Sequence, residues 1–130
     1  MAASPAFAAT PLIGIANINA ANTARDGSGT IPTVVTAGAN GALISRVVVK
    51  AETDPADCVV ILWIHNGSIA YLFDEFDIGD PAAGSTTVVA YRVERAYTDL
   101  VLPTGYSLRA TITVAPTTGD INVFAFGGDF

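Results

Sequence analysis

Short apolar runs broken by glycine, proline, asparagine or aspartate dominate this chain. The runs are rich in valine, isoleucine, threonine and aromatic residues, whose side chains suit a pleated surface, while the breakers supply turns. The pattern predicts strands over residues 11–20, 31–37, 42–51, 57–65, 68–73, 85–95, 106–114 and 120–126. Pattern alone places strand ends to within about two to four residues. No stretch reads convincingly as a helix. The expected fold is therefore all-β: a single-domain antiparallel β-sandwich or jelly roll of about eight strands over residues 1–130, with 1–10 as an N-terminal arm.

Individual runs carry finer expectations. Leu108, Ala110, Ile112 and Val114 alternate with Ser107, Arg109, Thr111 and Thr113, which predicts a strand with one face in the core and one in water. Val59–Ile64 has no polar interruption, so that strand needs cover on both faces, the second of which a neighbouring subunit can supply. Asn66 and Gly67 follow it, a pair suited to a tight hairpin turn with positive φ at both residues. Asn40 and Gly41 repeat that chemistry after Val34–Thr36. Residues 20–30, with Asn22, Arg25, Asp26, Gly27, Ser28 and Gly29, read as a long polar loop.

Composition turns this β pattern toward assembly. Hydrophobic residues fill 51% of the 130 positions and charged residues only 14%. A domain of this length leaves roughly a third of its chain's surface in water, so the apolar surplus is expected to emerge as patches, and such patches mark interfaces. The expected interface centres on the run from Val59 to Phe73, through Val59, Ile61, Trp63, Tyr71 and Phe73. Arg92 and Arg95 join it, because arginine outnumbers lysine five to one and its planar guanidinium suits half-buried pairing between subunits.

The net charge of −6 argues against a phosphate-binding surface, so no direct nucleic-acid partner is expected. Cys58–Ile64 is far too short to cross a bilayer with a helix, and residues 1–9 lack the basic start and apolar run of a secretion leader. Cys58 is the single cysteine, which leaves no intrachain disulfide or cysteine-based zinc site and fits synthesis in a reducing cytoplasm.

Candidate chemistry is thin. Asp74, Glu75, Asp77 and Asp80 could offer oxygen ligands to calcium, but their spacing is not that of an EF-hand, and a solvated acidic connection accounts for them better. Asp26, Gly27, Ser28 and Gly29 read as a turn rather than a phosphate loop. His65 would have to serve any Ser-His-Asp arrangement, with Ser68 or Ser107 and Asp74 as partners, yet it stands beside a turn where a local hydrogen bond explains it. Cys58, beside the most apolar run, is expected to be buried and inert. Trp63, Tyr71, Phe73, Phe76, Tyr91 and Tyr97 could instead form a platform for sugar rings, which would make this a carbohydrate-binding module or a phage fibre component. Gly127–Phe130 matches part of the signature loop of diguanylate cyclases without the α/β domain that loop requires. No enzyme activity, cofactor or bound metal is expected.

The alanine-rich opening at Met1, the Asn19–Thr30 loop, Leu102–Arg109 and the ending Phe124–Phe130 together resemble small virion structural proteins of tailed bacteriophages, most of all head-decoration proteins. That resemblance implies a compact β protein on the outer capsid surface, oligomeric and often trimeric. It would bind the major capsid protein and brace the head against the pressure of packaged DNA. The resemblance is one of style and transfers no role to any single residue.

Overall fold

The computed structural model describes residues 10–130; apart from Thr10, the expected N-terminal arm lies outside them. Eight strands follow one another: β1 (Thr10–Ile18), β2 (Thr33–Thr36), β3 (Ala42–Ala51), β4 (Cys58–His65), β5 (Ala70–Gly79), β6 (Arg92–Leu102), β7 (Ser107–Ile112) and β8 (Ile121–Asp129). They form two four-stranded antiparallel sheets, ordered β1-β8-β3-β6 and β2-β7-β4-β5. Strands 1 and 8, 2 and 7, 3 and 6, and 4 and 5 are neighbours, so the chain is one long hairpin wrapped into a sandwich, the jelly-roll arrangement. Among the described residues no helix forms.

The wrap puts every consecutive strand pair except β4 and β5 in different sheets. The hairpin at Asn66 and Gly67 is therefore real, but its turn differs from the expected one. Gly67 takes φ 98°, whereas Asn66 keeps a negative φ and uses its side chain instead, accepting the amides of Ser68 and Ile69 at 3.0 and 2.8 Å. An asparagine that can bond its own turn has no need of the strained conformation. Asn40 and Gly41 make no hairpin, because β2 and β3 lie in opposite sheets; Gly41, at φ 86°, turns the chain across the sandwich.

Between the sheets, Ile18, Val35, Ile44, Val47, Val49, Val60, Leu62, Phe76, Leu102, Leu108, Ile112, Ile121 and Val123 form the main core. Bulges keep these residues inward. Ser45 is an extra residue against β8, and Tyr97, Thr98 and Asp99 of β6 all face Ser45, with Asp99 at φ 60°. On β5 the extra residues are Phe73 and Ile78.

Two expectations about strand limits are corrected. Residues 85–91 are not strand. Ser85 Oγ accepts the amides of Thr87 and Val88, its own amide bonds the Val88 carbonyl, and Val89 is 85% exposed. A hydroxyl that bonds nearby backbone competes with a ladder despite the β-branched residues beside it. The strand expected at 68–73 runs on through the acidic residues to Gly79.

At the other edge of the sandwich β1 and β2 converge, and Gly14 permits the contact. A Cβ there would lie 2.2 Å from the Val34 carbonyl oxygen and 2.5 Å from the Val35 Cβ. Gly14→Ala is expected to lower stability by about 1–3 kcal/mol, as overpacking of a close contact does, read as an earlier urea midpoint with an unchanged slope.

Candidate interaction surfaces

The residues expected to form one interface separate once the chain is folded. On β4, Cys58, Val60 and Leu62 point into the main core, while Ile61 and Trp63 project from the opposite face of the sheet. Those two are not available to a partner, which corrects the expectation: Ile61 is 0% and Trp63 1% exposed. Their cover is the chain's own 20–32 segment, made of the 20–30 stretch read as a polar loop and the first two residues of the strand expected at 31–37.

That segment is a strap across the outer face of the β2-β7-β4-β5 sheet. It leaves β1, bonds β7 beyond the end of β2 through the Asn22 amide and the Ile112 carbonyl at 2.8 Å, and reaches β5, where Gly27 lies against the Ala70 backbone and Arg25 pairs with Glu75. Asn22 holds it in shape, donating to the carbonyls of Ser28 and Thr30 and accepting the Ala24 amide, all at 3.0 Å. Ile31 descends from the strap to join Ile61, Trp63 and Ala70 in a second apolar cluster, with Val59 half-buried beside it. Trp63 Nε1 donates to Thr111 Oγ1 at 2.9 Å, so these two polar groups are paired beneath the strap. The face of β7 expected to be wet is thereby dried: Ser107 and Thr111 are 3% and 1% exposed.

Tyr71 and Phe73 do reach the surface, on the edge strand β5, with Leu72 between them and Ile69 just before. The bulge at Phe73 turns its ring toward β6, 5.4 Å from that of Tyr97. Arg95 on β6 is bound within the chain rather than free for a partner. It donates to the Asp74 carboxylate at 2.6 Å, lies 4.5 Å over the Phe76 ring, and shares Asp74 with the Tyr97 hydroxyl at 2.7 Å. Arg92, also on β6, pairs with Glu94, which Arg46 approaches as well. The bonds to Asp74 join the edges of the two sheets, whereas the Glu94 pairs lie within one sheet.

Partial burial pushes the Asp74 carboxyl pKa up, but the hydrogen bonds from Arg95 and Tyr97 outweigh it and hold the carboxyl below its usual range. Burial, and then the bond to Asp74, push the Tyr97 hydroxyl well up, so it remains a donor. The acidic segment is consequently divided. Asp74 faces β6, Glu75 faces the strap, and Asp77 takes the Gly79 amide at 3.1 Å. No set of three potential metal ligands gathers among the described residues.

Sequence reasoning missed a second apolar surface. On the outer face of the β1-β8-β3-β6 sheet, the register sets Ile13 beside Phe126 and Arg46, and Ile15 beside Phe124 and Val48. Ile13 and Ile15 are 57% and 55% exposed. The two phenylalanine rings lie 6.3 Å apart, and the Arg46 guanidinium sits 4.5 Å over Phe126. A signal was present: small residues alternate with large ones, Gly14 and Ala16 with Ile13 and Ile15, Ala125 with Phe124 and Phe126. With the small residues turned into the core, the large ones must face out.

Of the groups weighed for catalysis, the structure sets His65 opposite Ser107 and beside Ser68 in one cleft, and leaves Asp74 apart from them. His65 Nδ1 accepts the Gly67 amide at 3.1 Å, Ser107 Oγ accepts from Arg109 at 3.0 Å, and Asp74 is held by β6. Cys58 is buried, which raises its thiol pKa. Between the strap and the β4–β5 turn runs a cleft lined by Asp26, Ser28, His65, Ser68 and Arg109. Family models, curated proteins and solved structures were compared with the chain, and none matches.

The Asp74 bonds predict acid sensitivity of a definite sign. The folded-state pKa lies below the ordinary 3.8, so the contribution is complete above that value and is lost as pH falls through the lower folded-state value. Asp74→Asn should give a less stable protein at neutral pH and a shallower loss of stability on acidification, measured by urea melts at stepped pH.

Proposed function

We propose that this protein is a non-enzymatic structural component of a tailed-phage virion, a head-decoration protein that assembles with its own copies and binds the major capsid protein on the outer surface of the head. The trimer is the symmetry its resemblance implies. The observation that carries the reading is the pair of separated apolar surfaces, at opposite edges of one jelly roll. Ile13, Ile15, Phe124 and Phe126 lie toward the β1 edge, and Tyr71, Leu72 and Phe73 lie on β5 with Ile69 just before it. A decoration protein needs both a contact with its copies and a contact with the shell, and monomeric soluble proteins seldom leave such surfaces bare. Jelly rolls also recur among viral capsid domains. Many shallow contacts repeated over a symmetric lattice give high avidity, so no deep pocket is required.

Co-sedimentation with capsids of the phage that carries the gene tests this. Saturable binding that delays heat disruption of the shell is expected, and Tyr71→Ala with Phe73→Ala should weaken it about tenfold or more while the fold, read by circular dichroism, persists. Soluble protein left wholly in the supernatant would remove the reading.

A carbohydrate-binding module or fibre component is the second reading, and one feature favours it. The cleft beside the strap gathers hydroxyls, an imidazole, a carboxylate and the Arg109 guanidinium, the donor and acceptor mixture that sugars need. Lectin domains use the jelly roll as well. The platform expected around Trp63 does not serve, because that ring is covered. Glycan-array binding abolished by Arg109→Ala would favour this reading over the first.

A further inference from the structure

We propose that β1 is the self-association edge of this protein, pairing antiparallel with β1 of a second copy about a two-fold axis. The inference rests on the assembly half of the reading above and not on the capsid.

An edge strand is a template for another chain unless something blocks it. Four strands here are edges, and three are blocked. β2 has four residues and a bulge. β5 is bulged twice and carries Asp74, Glu75 and Asp77. β6 carries Arg92, Glu94 and Arg95, and the three residues facing Ser45 break its line at Asp99. β1 differs from all of them. It pairs with β8 in unbroken register from Thr10 to Ile18, and from Leu12 onward it has no charge, proline or bulge. Among the described residues, β8 is its one strand partner.

Charge points to a second copy as the occupant. At a net −6, two copies repel wherever their carboxylates meet, and an uncharged strand is where they approach at least cost. Geometry points the same way. A two-fold beside Gly14 sets Ile13 of one copy opposite Ile15 of the other, on the outer face. The row Phe126–Ile13 of one copy then continues into Ile15–Phe124 of its mate, and the half-exposed isoleucines close one apolar strip across the four central strands of the joined sheet. A two-fold contact is one that a cyclic trimer alone does not supply, so the mass must be an even number of chains: a dimer, or a hexamer where a three-fold contact is made as well.

Light scattering on the full chain at micromolar concentration reads that mass. A charge-swap pair tests the strand. Ile13→Lys with Ile15→Lys, and separately Ile13→Glu with Ile15→Glu, change exposed side chains, and each double variant should keep its circular dichroism spectrum and halve its mass. Mixing the two should restore the even-numbered assembly, because lysine then faces glutamate at both positions. A wild-type mass of one or three chains overturns the proposal, and so does a lysine variant that keeps the wild-type mass. Capsid co-sedimentation of the wild-type protein separates the failures. Capsid binding by wild-type protein whose mass is one or three chains would sink this inference alone, whereas an even-numbered assembly that ignores capsids would sink the virion reading alone.

Discussion

Strand β4 has to be kept from water on both faces, and most of this architecture follows from how that is done. Val60 and Leu62 enter the space between the sheets, where any β-sandwich has its core. Ile61 and Trp63 point the other way, and a two-layer fold has no third layer to receive them. The 20–32 strap supplies one, drawn across the sheet and fastened at β7 by Asn22 and at β5 by Gly27 and Arg25. Burying side chains of this size is worth about 1.5–3 kcal/mol each, which offsets part of the conformational entropy lost in ordering the loop. The strap also decides where the protein can be approached, since it removes the β4 face from the surface.

What remains exposed lies toward the edges. On the β5–β6 side, the bulge at Phe73 leaves a run of apolar residues at the surface while Asp74, Arg95 and Tyr97 lock the strands behind it. On the β1 side the strand is uncharged and regular, and Gly14 lets it lie close against β2. The two edges are thus built differently, one closed by ionic bonds and one left open along its backbone. Different construction at opposite ends is what the proposed assembly, with its two kinds of neighbour, would use.

The charged residues serve the fold before any partner. Arg25, Arg46, Arg92 and Arg95 each contact a carboxylate of the same chain, although the pairs at the surface add little to stability singly. Their effect is on specificity: Arg95 fixes how β6 lies against β5, and Arg46 covers Phe126. The excess of arginine over lysine suggested pairing between subunits, and the same chemistry is satisfied within one chain.

The local pattern was enough to specify an all-β chain, eight strands, the β4–β5 hairpin, a buried thiol and a β4 that needed cover on both faces. Each rests on neighbours in sequence: alternation, breakers and one uninterrupted apolar run. Tertiary structure alone decided which strands meet, because the wrap joins residues as distant as Thr10 and Asp129. It decided that residues 20–32 rather than a subunit shield Trp63, that the acidic run is a strand with its charges sent to different partners, and that β6 begins at Arg92. It also exposed Ile13, Ile15, Phe124 and Phe126. Alternation marks two faces on a strand, but only packing against a second sheet says which face is inside, and here the small residues took it.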